Sequence, residues 1–224
     1  MENKKKDISI FIVARTASSR CPDKVIRDFS QGKSLFEIMC ERMQTLRYPT
    51  FAAVGEPILS DIANKQNIPI IHRTKEEINS HGPLRRVFAC VEQCKTSHIM
   101  LISPCTPFLQ TDVINAACDF FVKNEYQAIT SAIREQNWFF DQDRKPFFPI
   151  DVRNMTSNDL CIYALANAFE IFPVERFLNE GIYYTFEDPC DPYLYEIPKA
   201  QAVDIDSEED FNLASYMWEM RGGE

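Results

Sequence analysis

Short apolar runs alternate with stretches whose apolar positions recur every three or four residues, over almost the whole chain. Ser9-Ile-Phe-Ile-Val13, Thr50-Phe-Ala-Ala-Val54, Ile68-Pro-Ile-Ile71, His98-Ile-Met-Leu-Ile102 and Gln127-Ala-Ile-Thr-Ser-Ala132 read as strands. Between them, residues 34–46 place Leu35, Ile38, Met39, Met43 and Leu46 at helical spacing, and residues 57–66, 84–94 and 112–124 read as further helices. Strand and helix in turn predict βαβ units, a largely parallel sheet and an α/β fold. The rhythm breaks at residues 136–160, where aromatics, prolines and charges follow without period. That stretch reads as an irregular excursion covering one edge of a site or a subunit contact, or as a plain surface loop. The last helix is signalled by Ser207-Glu-Glu-Asp210, a capping-box-like start, with Phe211, Ala214, Met217 and Trp218 as its apolar face.

Composition narrows the class. A chain of 224 residues, 45% hydrophobic and 25% charged, suits one soluble globular domain over residues 1–224. No apolar run approaches the ~20 residues that cross a bilayer, and the N-terminus lacks a small-residue cleavage site, so a cytoplasmic protein without membrane contact is expected. Its net charge of −9 disfavours nucleic acid as a partner but leaves room for a local cationic pocket. Eight scattered cysteines without a CxxC pair predict reduced thiols and no zinc site.

Candidate chemistry gathers at the two ends. The first strand runs into Arg15-Thr-Ala-Ser18-Ser-Arg20-Cys-Pro22-Asp-Lys24, which delivers three cations into one short loop. Arg supplies a planar fork for phosphate oxygens, Lys a mobile point charge, and loop amides further donors, so the loop suits a polyphosphate. The bland reading is a solvated basic turn. Near the other end stands Ala202-Val-Asp204-Ile-Asp206. On an extended chain Asp204 and Asp206 share a face, and two clustered carboxylates suit a Mg²⁺ completed by substrate phosphates and water. The competing reading is that these acids serve the dipole of the last helix.

Together these ends resemble the cytidylyltransferases that make CMP-activated sugar acids: the acylneuraminate enzymes, those for related nonulosonates and 3-deoxy-octulosonate, and spore-coat relatives. Ala14, Arg15, Ser18, Pro22 and Lys24 fall in register with the family's phosphate loop, and Arg20 is more like the octulosonate and spore-coat branches. Asp28-Phe-Ser-Gln-Gly32-Lys-Ser-Leu35 resembles the lead into the first helix, and Leu101-Ile-Ser103-Pro-Cys-Thr-Pro107 the sialate-type motif after the central strand. Tyr195-Glu-Ile-Pro with Val203-Asp-Ile-Asp206-Ser-Glu-Glu-Asp210 is the best match along the chain. The chain departs from the family where Thr16-Ala17 replaces Gly-Gly, where Ser103 replaces Gln and Leu109 replaces Arg, and where Leu160-Cys-Ile-Tyr163-Ala164 stands for an Asn-Gly-Ala-x-Tyr strand.

The resemblance implies a single-domain Rossmann-like nucleotidyltransferase fold of GT-A-like type, a three-layer sandwich on a mostly parallel sheet. It implies transfer of CMP from CTP to a sugar acid with release of pyrophosphate, assisted by Mg²⁺, in a homodimer. Arg15 and Lys24 would hold the triphosphate with Ala14, Ser18 and Arg20. Asp204 and Asp206 would be both catalytic and metal-binding. Arg73, Gly82 and Ser103 would line the nucleotide site, and Tyr163, Arg153 and Gln136 the acceptor site, with Arg144 and Lys145 as further candidates for a sugar carboxylate. Three alternatives stay open: another acceptor such as a phosphonate or sugar phosphate on the same fold, a catalytically silent nucleotide-binding homologue, and a glycosyltransferase using the acidic pair.

Overall fold

Strand β1 (Ile8–Val13) is apolar at consecutive positions because it is paired on both edges and covered on both faces. Ile10 and Ile12 face one core and Phe11 the other, each burial worth about 2 kcal/mol. The computed structural model describes residues 6–151, 153, 156 and 160–223.

After β1 the chain makes a small antiparallel pair, β2 (Asp28–Ser30) and β3 (Lys33–Ser34), and enters α1 (Leu35–Met43) through a Ser34–Glu37 capping box. It continues through β4 (Thr50–Val54), α2 (Pro57–Lys65), β5 (Ile70–His72), α3 (Lys75–Asn79) and α4 (Leu84–Val87). Then come β6 (His98–Ile102), α5 (Thr111–Lys123), β7 (Ile129–Glu135), β8 (Ile162–Pro173), α6 (Val174–Glu180), β9 (Tyr193–Glu196) and α7 (Glu208–Met220). The main sheet has seven strands in the order β5-β4-β1-β6-β8-β7-β9. All its pairings are parallel except those of β8, which runs antiparallel to both β6 and β7. The mostly parallel α/β sheet predicted from the alternation is therefore present, with one reversed strand.

Helices α1, α2, α5 and α7 pack on one face, where Phe29 meets Phe211 and Trp218 edge-on. The other face is covered by α6 and a 3₁₀ turn at Ala89–Gln93, giving three layers. The single helix expected over residues 84–94 is split, because Phe88 leaves helical backbone at φ −120°. Ala202–Asp206 is not a strand: a 3₁₀ turn at Lys199–Gln201 leads into irregular backbone. Ile205 is nevertheless fully buried and its N–H donates to the Cys105 carbonyl at 2.9 Å, so the inward anchor expected at Ile205 is present without a ladder, while Val203, Asp204 and Asp206 are each part-buried. The eight cysteines are free.

Candidate functional site

Parallel strands open a crevice at their C-terminal ends, and here the loop after β1 and the segments after β5 and β6 meet β8 around a cavity of about 460 Å³. Ala14, Arg15, Ser18, Arg20, Lys24, Arg73 and Ser103 all line it. Seven of the residues picked from sequence are thus brought together.

The β1 loop is shaped by side chains in place of glycine. Thr16 donates through its N–H and hydroxyl to the Glu56 carboxylate at 2.8 and 3.2 Å, and the Cys21 N–H donates to the Ser18 hydroxyl at 3.3 Å. Its left-handed turn falls at Asp23, φ 55°, a residue type that tolerates this conformation. The Arg15 guanidinium reaches across to the Ile78 and Ser80 carbonyls at 2.9 and 3.1 Å.

The last segment is fastened to the same loop. Arg20 lies 2.7 Å and Lys24 3.6 Å from one Asp206 carboxylate oxygen, and Lys24 also donates to the Ile205 carbonyl. Arg27 pairs with Glu208 at 2.8 Å, at the first position of α7. Ser207 and Asp210 form the expected capping box. Asp206 adjoins the cavity through Arg20 and Lys24, and neither it nor Asp204 is part of the lining.

Burial, and then Asp206, push the Asp204 carboxyl up to about 6. An acid held this way is short of positive charge, and two hard oxygen donors suit Mg²⁺ completed by phosphates and water. No group of three or more His, Cys, Asp or Glu is arranged around a metal position among the described residues.

Arg73 lines the cavity as expected and is also a structural tie. Its side chain is 2% exposed and donates to the Ala14 carbonyl at 3.1 Å and the Val87 carbonyl at 2.8 Å, so it ties the end of β1 to α4. Gly82 sits beside the cavity, its N–H donating to Ser80, while its neighbour His81 is in the lining. The acceptor-side candidates are not gathered here. Tyr163 is exposed on the far half of β8, reaching Glu196 at 3.4 Å beside a second cavity under Phe186. Gln136, just after β7, and Arg153, in a turn closed onto Asp151, are outside the lining, and Arg144 and Lys145 stand at an exposed turn.

Among the lining residues that sequence reasoning missed are Asn167, Glu170 and Tyr183, on and beyond β8. The stretch aligned above with the family's Asn-Gly-Ala-x-Tyr strand, residues 160–164, is outside the lining. The chain turns toward the cavity at Ala166-Asn167-Ala168-Phe169-Glu170, where Asn167 takes φ 50°. The available signal was a lone carboxylate inside the apolar run Ala168-Phe-Glu170-Ile-Phe172.

The sequence profile described as Cytidylyltransferase matches residues 9–212. No curated protein sequence matches the chain. Among solved structures, CMP:2-keto-3-deoxy-manno-octonic acid synthetase complexed with CTP aligns with TM-score 0.70 at 10% identity, covering 96% of this chain and 100% of that one. The 4-diphosphocytidyl-2C-methyl-D-erythritol synthase of Anaerococcus prevotii aligns with TM-score 0.63 at 15% identity, covering 96% and 97%. A cytidylyltransferase from Leptospira borgpetersenii gives 0.59 at 16%, covering 96% and 87%. These structures share the Rossmann-like nucleotidyltransferase fold. With the profile spanning nearly the whole sequence and both chain ends converging on one cationic crevice, the chain belongs to the cytidylyltransferase family.

Proposed function

We propose that this cytidylyltransferase transfers CMP from CTP to a sugar acid of the nonulosonate or 3-deoxy-octulosonate type and releases pyrophosphate. The observation that carries the reading is the meeting of Arg20 and Lys24 of the crevice lining with Asp206, and of their charges with Asp204, from opposite ends of the chain.

Such transfers depend on positioning and on neutralising phosphate charge. Lys24, 12% exposed and braced by the Ile205 carbonyl, presents its ammonium at a fixed point for the triphosphate. Arg20 is free to exchange Asp206 for phosphate because its guanidinium is mostly in solvent. Ser18 and the loop amides add donors. Arg15 keeps the 78–80 segment against the loop, which closes the side of the crevice opposite β8. The acceptor hydroxyl forms the new bond to the α-phosphorus, the bond to the bridging oxygen breaks, and the hydroxyl proton is released. Asp204 and Asp206 would hold Mg²⁺, which when bound offsets charge at the α-phosphate and acidifies the incoming hydroxyl.

The same reading makes the protein a cytoplasmic homodimer, with exposed Phe140 and Phe147 in the excursion as its contact; light scattering at a monomer mass refutes that part. Among the described residues no helix is long and apolar enough to cross a membrane. The function is tested by pyrophosphate release with Mg²⁺ and CTP against a panel of sugar acids, with ATP, GTP and UTP as controls. CTP-specific release with one sugar acid is expected. CTP binding with release only for a phosphonate or sugar phosphate overturns the acceptor, and failure to bind CTP overturns the transfer itself.

A further inference from the structure

Glu170 is out of place by every rule that built the sheet around it. It pairs across with Leu101 of β6 and Thr130 of β7, and the next position along that row is Phe11 of β1. Leu101, Phe11 and, two residues along β8, Phe172 belong to one hydrophobic cluster. A carboxyl in such a row costs stability unless something compensates it.

No described residue does so. No hydrogen bond or ion pair is made by the Glu170 carboxyl among the described residues, although the crevice it lines is rich in cations. Those cations are engaged elsewhere: Arg15 on two carbonyls, Arg73 on two others, Arg20 and Lys24 on Asp206. Burial, and then Asp204, push Glu170 up to about 7.

The backbone is shaped to put it there. Between the pairs Thr130–Glu170 and Ala132–Leu165, β7 advances two residues and β8 five, so β8 bulges. Asn167 crosses the bulge at φ 50°, and the Ser131 hydroxyl receives the N–H groups of both Ala168 and Phe169 at 2.9 and 3.1 Å. That clamp fixes Asn167 and Glu170 on the crevice wall across from the phosphate loop, with Tyr183 beside them. A left-handed asparagine, a doubly used buried serine and an uncompensated acid at one spot are more than a pleated strand needs.

A partly exposed, unpartnered carboxyl facing a crevice is complementary to a ligand that brings hydrogen-bond donors, and it repels a ligand that brings an anion. We propose that Glu170, with Asn167, determines acceptor specificity: it accepts a hydrogen bond from a hydroxyl or ammonium group of a sugar acceptor and turns that acceptor's carboxylate away from β8. The proposal deepens the cytidylyl-transfer reading and rests on it for the word acceptor. It adds that a sugar acid binds with its hydroxyl or amino side on β8 and its carboxylate toward the cationic loop.

The experiment is binding of a sugar panel (octulosonate, nonulosonates, hexosamines, and sugar phosphates) to wild type, Glu170→Gln, Glu170→Asp and Glu170→Ala, by calorimetry and saturation-transfer NMR, with and without CTP and Mg²⁺. The expected result is that the best-bound sugar carries a donor and loses about tenfold or more in affinity in Glu170→Gln and Glu170→Ala. Glu170→Asp should recover part of that loss, and the Kd for CTP should stay within about twofold throughout. Equal sugar affinity in wild type and variants, a sugar phosphate as the preferred ligand, or no sugar bound at all overturns the proposal. CTP affinity falling in parallel with sugar affinity also overturns it, because Glu170 would then act on the whole crevice. Failure of CTP to bind sinks the transfer reading, and the arm without nucleotide still decides Glu170.

Discussion

Replacing Arg73 by alanine separates two roles for the one fully buried arginine among the described residues. If it is a strut, the cost is readable from its contacts. The variant leaves the Ala14 and Val87 carbonyls without their donors, and it takes a positive charge from beside Glu77, which is 4% exposed. Each orphaned buried acceptor costs about 1–3 kcal/mol, and removing one partner from a buried charge arrangement costs about 3–5 kcal/mol. These overlap, so about 4 kcal/mol is expected, which for a chain of this length lowers Tm by roughly 10 °C. Arg73→Lys keeps a charge but cannot fork between two carbonyls on different elements, and should lose about half as much. The assay is urea unfolding with and without CTP, alongside CTP and UTP affinities. A strut predicts large loss of stability with the CTP-to-UTP ratio preserved in whatever fraction folds. A stability loss under about 1 kcal/mol together with collapse of that ratio refutes the reasoning and makes Arg73 a nucleotide contact, not a strut.

Three further outcomes test other parts of the structure. A Cβ on Gly55 would sit 2.4 Å from the Arg73 carbonyl oxygen, so Gly55→Ala should lose about 1–3 kcal/mol by chemical denaturation, and an unchanged midpoint contradicts this packing. Glu170 is held at about 7, above its ordinary 4.5, so the folded unliganded protein binds more protons than the unfolded chain between those values and loses stability as pH rises through them. Glu170→Gln should therefore be more stable than wild type at about pH 8, by up to roughly 3 kcal/mol, with the advantage fading toward about pH 4.5; a constant offset across that range contradicts the assignment. Arg20→Ala removes an exposed ion pair worth less than about 1 kcal/mol, so Tm should hold while affinity for CTP with Mg²⁺ falls about tenfold by calorimetry, and unchanged affinity removes Arg20 from the phosphate grip.

The parts of this molecule legible in its sequence are those written in local pattern. β1 and its loop, α5 and the capped start of α7 follow from an apolar run, a helical period and a Ser-x-x-Asp spacing. β8 was illegible because alanines, Asn167 and Glu170 interrupt its alternation and its partners β6 and β7 are distant or reversed in direction. The same bulge separates the expected acceptor residue Tyr163, outside the crevice lining, from Asn167 and Glu170 within it. α3, α6 and β9 are short, and their boundaries come from tertiary contacts that no window of sequence contains. Charge type was readable and charge employment was not: sequence marks Arg15 and Arg73 as cations, while only the fold reveals that both hold carbonyls.

The fastening of residues 20–27 to residues 205–208 spans more than 180 positions of chain, 186 for Arg20 to Asp206 and 181 for Arg27 to Glu208. During synthesis the basic loop leaves the ribosome long before the acids that will neutralise it. A nascent or truncated chain ending near Gln201 therefore presents Arg20, Lys24 and Arg27 uncovered, able to gather stray anions but without the Asp204–Asp206 pair. The same cut takes Ile205, Phe211, Ala214 and Trp218 out of the core, so charge fastening and the packing of α7 are lost together.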